Sequence, residues 1–351
     1  MNSFKNKYLE RFPINQSMLR SVRLLGEYKG KQELFTRQIP QALETLRQTS
    51  VIQSTESSNR IEGVTAPLDR IKALVAAKTT PRNRSEQEIA GYRDVLNTIH
   101  GSHEHIPFTT NVVLQLHRDL YQFTEGGGGK WKSVDNEITE ERAGGAKVVR
   151  FKPVSAFETP AAMERLHAEF NEHWQSEQFE KLLLIPAYVL DFLSIHPFLD
   201  GNGRMARLLS LLLLYRAGYE VGRYVSLEKL VEQTRESYYD CLLQSSQGWH
   251  DGQHNLLPWA EYFLGLLTAA YREFENRVGQ LTTAPGAKTK MVLDGLRGLP
   301  ETFRISELQA ACPQVSLDLI RKVLNQMKAE GKVESMGKGR NATWRKYGTD
   351  F

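Results

Sequence analysis

The 351-residue sequence predicts a mainly α-helical protein with one β-hairpin and a small basic domain at its C-terminal end. Three observations carry this. Before Thr282, apolar residues recur mostly at three- and four-residue spacings. One glycine-punctuated stretch, Lys130–Pro153, breaks that pattern with β-forming residues. The charge is unevenly placed: from Ala287 onward there are 12 Lys/Arg against 7 Asp/Glu, so a formal net charge of +4 leaves the preceding part at about −1.

The elements follow in order. Gln41–Ser58 reads as a polar helix entered after Pro40, with Leu43, Leu46, Val51 and Ile52 as its apolar positions, and Gly63 and Pro67 signalling its end. Arg84–His100 places Ile89, Tyr92, Leu96 and Ile99 on one face, and Thr109–Phe123 continues in the same style. In Lys130–Pro153, Gly144-Gly145 separates Trp131, Val134 and Ile138 from Lys147-Val-Val-Arg-Phe151, which reads as a hairpin. Helices resume at Thr159, read as an N-cap followed by Pro160 at the first helical position. Phe179–Ile195 and Arg204–Ala217 are apolar on most faces and are joined by a tight loop, His196–Gly203. Arg235–Ser246 and Leu257–Val278 complete the helical part. Thr282–Lys288 is small, polar and Pro/Gly-bearing, so it marks a domain boundary. The expected domains are 1–105, a helical N-terminal region, 106–281, the core, and 288–351, the basic domain.

Composition excludes several classes. With 40% hydrophobic and 25% charged residues the chain is an ordinary globular one. Its two cysteines, Cys241 and Cys312, lie in different expected domains and suggest a reducing compartment rather than a disulfide framework. Met1–Phe12 lacks the apolar stretch of a signal peptide. The apolar runs Leu182–Leu190 and Leu208–Leu214 are too short to span a bilayer. The expectation is a soluble cytoplasmic protein with no membrane contact.

The chemistry concentrates in His196-Pro-Phe-Leu-Asp-Gly-Asn-Gly-Arg-Met-Ala-Arg207, between the two apolar helices. A loop at a helix N-terminus offers free N–H groups and the positive end of the helix dipole to an anion. Gly201 and Gly203 let the backbone approach a phosphate, and Asn202 can donate to a phosphate oxygen. Arg204 and Arg207, three apart, lie on one side of the first turn and can hold further phosphate oxygens. Asp200 offers a hard oxygen to Mg²⁺, which needs only one or two carboxylates. His196 is the natural general base for a hydroxyl proton. Each piece alone is an ordinary loop feature; together they form a nucleotide-phosphate site.

These twelve residues resemble the signature of the Fic-domain family, H-x-F-x-D/E-G-N-G-R-x-x-R, and fill each defined position. The resemblance covers about Lys5–Val278 and implies a protein adenylyltransferase using ATP and Mg²⁺. By that likeness His196 deprotonates a target Ser, Thr or Tyr hydroxyl, Asp200 holds Mg²⁺, Gly201, Asn202 and Gly203 cradle the phosphates, Arg204 and Arg207 bind the β/γ end, and Phe198 anchors the loop. Gly203 stands where a phosphate-transferring branch of the family has lysine, which argues against that branch. Ser58-Asn-Arg-Ile-Glu62-Gly63 resembles the family's inhibitory motif, S/T-x-x-x-E-G/N, so Glu62 is expected to pair with Arg207 and hold the enzyme in check. The Lys130–Pro153 hairpin matches the family's flap, which pairs with a target protein's backbone as an added strand. Tyr238-Tyr239 begins a region that borders the adenine in relatives. One of two adjacent tyrosines faces the core, so Tyr239 is taken for the nucleotide; Ser246 stands where some relatives place Asn. Self-modification is expected as well. Removal of AMP, transfer of another nucleotide, and an ATP-sensing DNA-binding regulator are the rival readings.

His103-Glu-His105 and His250/His254 have spacings that permit a metal, but no further ligand partners lie nearby, and they read as solvated loop residues. Thr289–Lys346 reads as helix, a short helix opening at Ile305, a third helix over Ser316–Glu330 with Leu319, Val323, Leu324 and Met327 inward, and a hairpin turning at Gly337-Lys-Gly-Arg340. This resembles a winged helix. Contact with DNA through Arg321, Lys322, Lys338 and Arg340 is one expectation; docking to a protein, or a homodimer, is the other.

Overall fold

The computed structural model describes residues 2–38, 40–141, 147–283, 286–312, 315–337 and 343–347. The expected Lys338, Arg340 and Gly144-Gly145 lie outside them. Helices dominate: α1 (Gln16–Gln38), α2 (Pro40–Ile61), α3 (Leu68–Val75), α4 (Arg84–Ser102) and α5 (Thr110–Leu120) precede the hairpin β1 (Ile138–Glu141) and β2 (Lys147–Phe151). Then come α6 (Thr159–Ser176), α7 (Lys181–Ile195), α8 (Asn202–Arg216), α9 (Leu227–Gln233), α10 (Arg235–Ser246) and α11 (Leu257–Thr283). The last part is α12 (Ala287–Gly298), β3 (Thr302–Arg304), α13 (Ile305–Ala311), α14 (Leu317–Ala329), β4 (Val333–Met336) and β5 (Thr343–Lys346). Among the described residues no helix is long and apolar enough to cross a membrane.

The chain divides into two compact units, 1–29 with 47–271, and 30–46 with 272–351. In the first, α7 and α8 supply the core. Every residue of Leu182–Asp191 is buried, as is all of Arg204–Leu209 and Leu211–Tyr215. A helix apolar all round must be central, and these two are. Pro186 sits inside α7, and its carbonyl accepts from Trp259 Nε1 at 3.0 Å. Asp191, on the same buried helix, is fully enclosed yet accepts hydrogen bonds from Ser3 Oγ (2.7 Å), Ser3 N–H (3.2 Å) and Trp249 Nε1 (2.6 Å). The N-terminal segment is thereby tied to the core.

Several local expectations are corrected. α1, α3 and α9 were not foreseen from spacing, because their apolar stripes are narrow or short. Thr159 is the first helical residue rather than the cap; Glu158 precedes it, and Thr159 Oγ1 donates to Ser155 O at 2.7 Å. The hairpin is shorter than Lys130–Pro153. Its strands pair antiparallel from Thr139↔Val149 to Glu141↔Lys147, whereas Lys130–Glu137 stays outside the sheet and turns its donors to the loop after α7.

In the second unit, β3, β5 and β4 form an antiparallel three-stranded sheet in that order. Its core joins Val292 and Leu296 of α12 to Phe303, Leu308, Ile320, Leu324 and Trp344. On α14 Ile320 and Leu324 are both fully buried; Leu319, expected inward, is only partly buried.

Candidate active site

The loop His196–Gly201 connects α7 to α8. His196 caps α7 in the left-handed region (φ 51°, ψ 62°), a conformation that costs a non-glycine residue about 1–2 kcal/mol. Gly201 caps α8 at φ +82°, and a Cβ there would lie 2.9 Å from Tyr121 Oη. Both the backbone angle and the space thus require glycine. Phe198 is fully buried, stacked face to face on His117 with ring centroids 3.6 Å apart, and Trp131 lies on it at 5.3 Å. These contacts pack it beneath the loop.

His117, on α5, was not legible in the sequence. Its Nδ1 accepts from Gly129 N–H at 2.9 Å, so Nε2 carries the proton and donates to Asp200 O at 3.1 Å. Burial pushes its pKa down to about 4, and that neutral ring fixes the loop's far side.

Asn202 is corrected. Its carboxamide does not reach outward: Oδ1 accepts from Phe198 N–H at 2.9 Å and Nδ2 donates to Phe198 O at 2.8 Å. It clasps the loop, leaving backbone N–H groups at the start of α8 for an anion.

Arg204 is corrected too. It is 1% exposed, donates to Glu88 Oε2 (2.7 Å) and Tyr121 Oη (2.7 Å), and stands over the Tyr121 ring at 5.3 Å. It is absent from the cavity lining, because a fully buried guanidinium needs a buried carboxylate and Glu88 supplies it.

Arg207 does line the cavity. Its Nε donates to Ser58 Oγ (2.9 Å), and its Nη2 to Ser58 O (2.9 Å) and Glu62 Oε1 (2.8 Å). Nη1 is buried with no hydrogen-bond partner among the described residues. Glu62 follows the last turn of α2, and a Cβ on Gly203 would lie 2.2 Å from its Oε1. The carboxylate therefore fills the space against that glycine.

These groups open onto one cavity of about 520 Å³, lined by Glu62, His196, Asp200, Gly201, Gly203 and Arg207, by Ile138, Thr139, Arg150 and Phe151 of the hairpin, and by Tyr238, Tyr239 and Ser246 of α10. That volume suits a nucleotide. Both tyrosines touch it: Tyr238 is buried and packs on Trp259, while Tyr239 is half-buried under Arg235, 5.7 Å away. The expected division between pocket and core thus fails, because the wall of the cavity is itself core. Ser246 turns its hydroxyl to Leu243 O at 3.1 Å. Asp200 is the exposed acid, its side chain 61% accessible, with Oδ1 accepting from Gly201 N–H at 2.6 Å. Burial holds His196 down to about 4, so its ring is neutral at pH 7.

Of the histidines expected to be solvated, His103 and His254 are buried instead, while His105 and His250 are exposed. His254 is buried, stacked on Tyr8 at 4.3 Å and within 3.0 Å of Ser3 Oγ. His103 is buried beside Arg223. His250 stacks on Phe151 and donates from Nε2 to Lys152 O at 2.7 Å, pinning the hairpin. Among the described residues no cluster of three or more ligating side chains could hold a metal by itself.

The fold and site define a helical protein that presents a glycine-bearing anion loop, with a neutral histidine at the mouth of the cavity. Residues 107–214 match the model of the Fic/DOC family. Among curated proteins it is similar to the protein adenylyltransferase Fic of Drosophila grimshawi, 29% identical over 216 residues, covering 59% of this chain and 40% of that one. The protein of the same name from Nematostella vectensis is 27% identical over 202 residues, covering 54% and 42%. The chain thus spans less than half the length of these relatives. Among solved structures, a Fic family protein from Desulfovibrio desulfuricans superposes with a TM-score of 0.63 at 21% identity, covering 97% of this chain and 98% of that one. A Fic domain containing signaling protein from Bacteroides thetaiotaomicron gives 0.59 at 23% identity, covering 72% and 95%. The mainly helical Fic-type fold with a hairpin is therefore established.

Proposed function

We propose that this chain transfers AMP from ATP to Ser, Thr or Tyr hydroxyls of target proteins and of itself, and that Glu62 restrains it. The observation that carries the reading is the convergence of His196, the N-terminus of α8 and Arg207 on one nucleotide-sized cavity. The names of the curated relatives support the same activity.

His196, neutral at pH 7, takes the proton of the incoming hydroxyl as its oxygen attacks the α-phosphorus. The bond from that phosphorus to the bridging oxygen breaks, and pyrophosphate leaves with the electron pair. Backbone N–H groups at the start of α8 and the guanidinium of Arg207 hold the polyphosphate, and Gly203 permits its close approach. Asp200, exposed and with its guanidinium neighbours Arg204 and Arg84 at 3.8 and 3.9 Å, would hold Mg²⁺ together with phosphate oxygens and water; the ion would offset phosphate charge. Arg204, Asn202 and Phe198 hold the loop in shape.

Glu62 neutralises Arg207 and fills the space beside Gly203. Freed of that pair, Arg207 becomes available to phosphate. Glu62→Gly should therefore raise AMP transfer by at least tenfold, and His196→Ala in the same background should abolish it. Both are read with α-labelled ATP and protein acceptors; equal labelling in wild type and Glu62→Gly would overturn the restraint. Removal of AMP is the second reading, favoured by the fact that Glu62 and Asp200 are the two acids lining the cavity, where either could orient a water. Mass analysis of an adenylylated protein before and after incubation separates the two.

For the second unit we propose a winged helix that contacts DNA through the exposed Arg321 and Lys322 of α14. Double Ala substitution should weaken DNA retention and flatten its salt dependence by a slope of about 2. Retention unaltered by the substitutions, or insensitive to salt, would point to a protein partner instead.

A further inference from the structure

The segment before the hairpin, left outside the sheet, is bound to the loop that carries His196. Lys132 N–H donates to Pro197 O at 2.8 Å. Its ammonium, on a residue only 3% exposed, donates to Ile195 O at 3.1 Å and to Asn136 Oδ1 at 2.8 Å. Asn136 Nδ2 in turn reaches Phe198 O at 3.0 Å and His196 O at 3.5 Å. Two side chains and one backbone N–H thus serve four consecutive carbonyls, residues 195 to 198. Ile195 ends α7, where unsatisfied carbonyls carry the negative end of the helix dipole.

Two features set this apart from ordinary loop fastening. The residue at the centre of the clamped stretch, His196, is in the left-handed region, which persists only where the surroundings over-determine it. The clamp also uses a buried ammonium with no carboxylate within 4 Å among the described ion pairs. A buried cation without a carboxylate is costly to keep. A neutral donor would satisfy the same carbonyls at less expense.

We propose that Lys132 is a positioning residue for the general base: with Asn136 it holds the carbonyls of residues 195–198 and keeps His196 in the strained conformation that presents its ring to the cavity. The inference rests on His196 being the base of the reaction proposed above. Its second consequence is electrostatic. The charged groups facing His196 are Lys132 from the pre-hairpin segment, Glu62 from the end of α2 and Asp200 from its own loop. Lys132 opposes protonation of the ring and the two acids favour it. Among the described residues the charged group facing Lys132 is Asp135, and burial lowers the ammonium to about 8. Lys132 thus both places the imidazole and helps keep it ready to accept a proton.

The test compares Glu62→Gly with Glu62→Gly carrying Lys132→Met, Lys132→Arg or Asn136→Ala. Four quantities are read: kcat and KM for ATP in AMP transfer, the NMR titration of the His196 imidazole, and melting temperature. With Lys132→Met, kcat should fall by roughly 10- to 100-fold with KM for ATP within about twofold, as misplacement of a reacting group predicts. The His196 resonance should shift and titrate at higher pH, because a nearby positive charge is gone. Lys132→Arg should restore part of kcat and the lower titration point. Asn136→Ala should lower kcat without moving the titration point, since it removes hydrogen bonds and no charge. An unchanged His196 resonance and titration in Lys132→Met would overturn the proposal. Should that variant fail to fold, unchanged kcat and His196 resonance in Asn136→Ala would overturn it equally. If the Glu62→Gly parent transfers no AMP, the adenylyl-transfer reading fails, while the NMR comparison still decides whether Lys132 positions the ring.

Discussion

At the scale of single residues, the two arginines of the loop have separated. Arg207 faces the cavity and bonds to Ser58 and Glu62; Arg204, three positions earlier, is sealed against Glu88 and Tyr121. The difference lies in the neighbouring helices: α4 brings Glu88 to one and α2 brings Glu62 to the other. Removing Arg204 leaves a carboxylate that is 4% exposed with Arg84 Nε, at 2.9 Å, as its remaining cationic partner among the described residues. Breaking a buried pair this way costs about 3–5 kcal/mol. Arg204→Met should therefore lower the melting temperature by several degrees, whereas a role confined to phosphate binding would leave melting unchanged and alter only KM for ATP. Either outcome is visible in a thermal scan beside a nucleotide titration.

At the scale of elements, α2 and the hairpin bracket the cavity. The inner face of α2 is seated largely by small polar groups: Ser50 Oγ donates to Gly222 O at 3.1 Å, Ser54 Oγ to Ser226 Oγ at 2.9 Å, and Ser58 accepts from Arg207. This explains why a polar, weakly periodic sequence could still be a buried helix. The hairpin is fastened at its base by His250, through Lys152 O and the stacked Phe151. His250→Ala removes one hydrogen bond, about 1 kcal/mol, and a ring contact. On the proposed activity, KM for a protein acceptor should rise severalfold while KM for ATP stays within about twofold; acceptor kinetics at saturating ATP check it. No change in acceptor KM would mean that the hairpin is held without His250.

At the scale of the whole molecule, burial holds several histidines in their neutral form. His117, His167, His196 and His254 are lowered to about 4 and His100 to about 3, in each case chiefly by burial. In the unfolded chain they would titrate near 6.5. Between those values the unfolded state binds protons that the folded state refuses, so stability is complete above pH 6.5 and declines as pH falls toward 4. Each such histidine steepens the decline by up to about 1.4 kcal/mol per pH unit. Melting temperatures at pH 7.5, 5.5 and 4.5 should fall progressively; a flat profile would contradict the buried neutral histidines.

What the sequence by itself determined was the chemistry and its carriers. The twelve residues from His196 to Arg207 specify an anion loop at a helix N-terminus, because glycine spacing and helix polarity are local properties. The apolar runs on either side specify that the loop must sit on a buried pair of helices, whereas Glu62 was singled out only by the likeness of Ser58–Gly63 to an inhibitory motif. The tertiary structure alone decided which donor goes where. Arg204 meets Glu88 from 116 positions away, His117 meets Asp200 from 83, and Lys132 meets Ile195 from 63. Such partners leave no periodic trace, since a polar side chain that will be buried against a distant carbonyl looks, in sequence, like one bound for water.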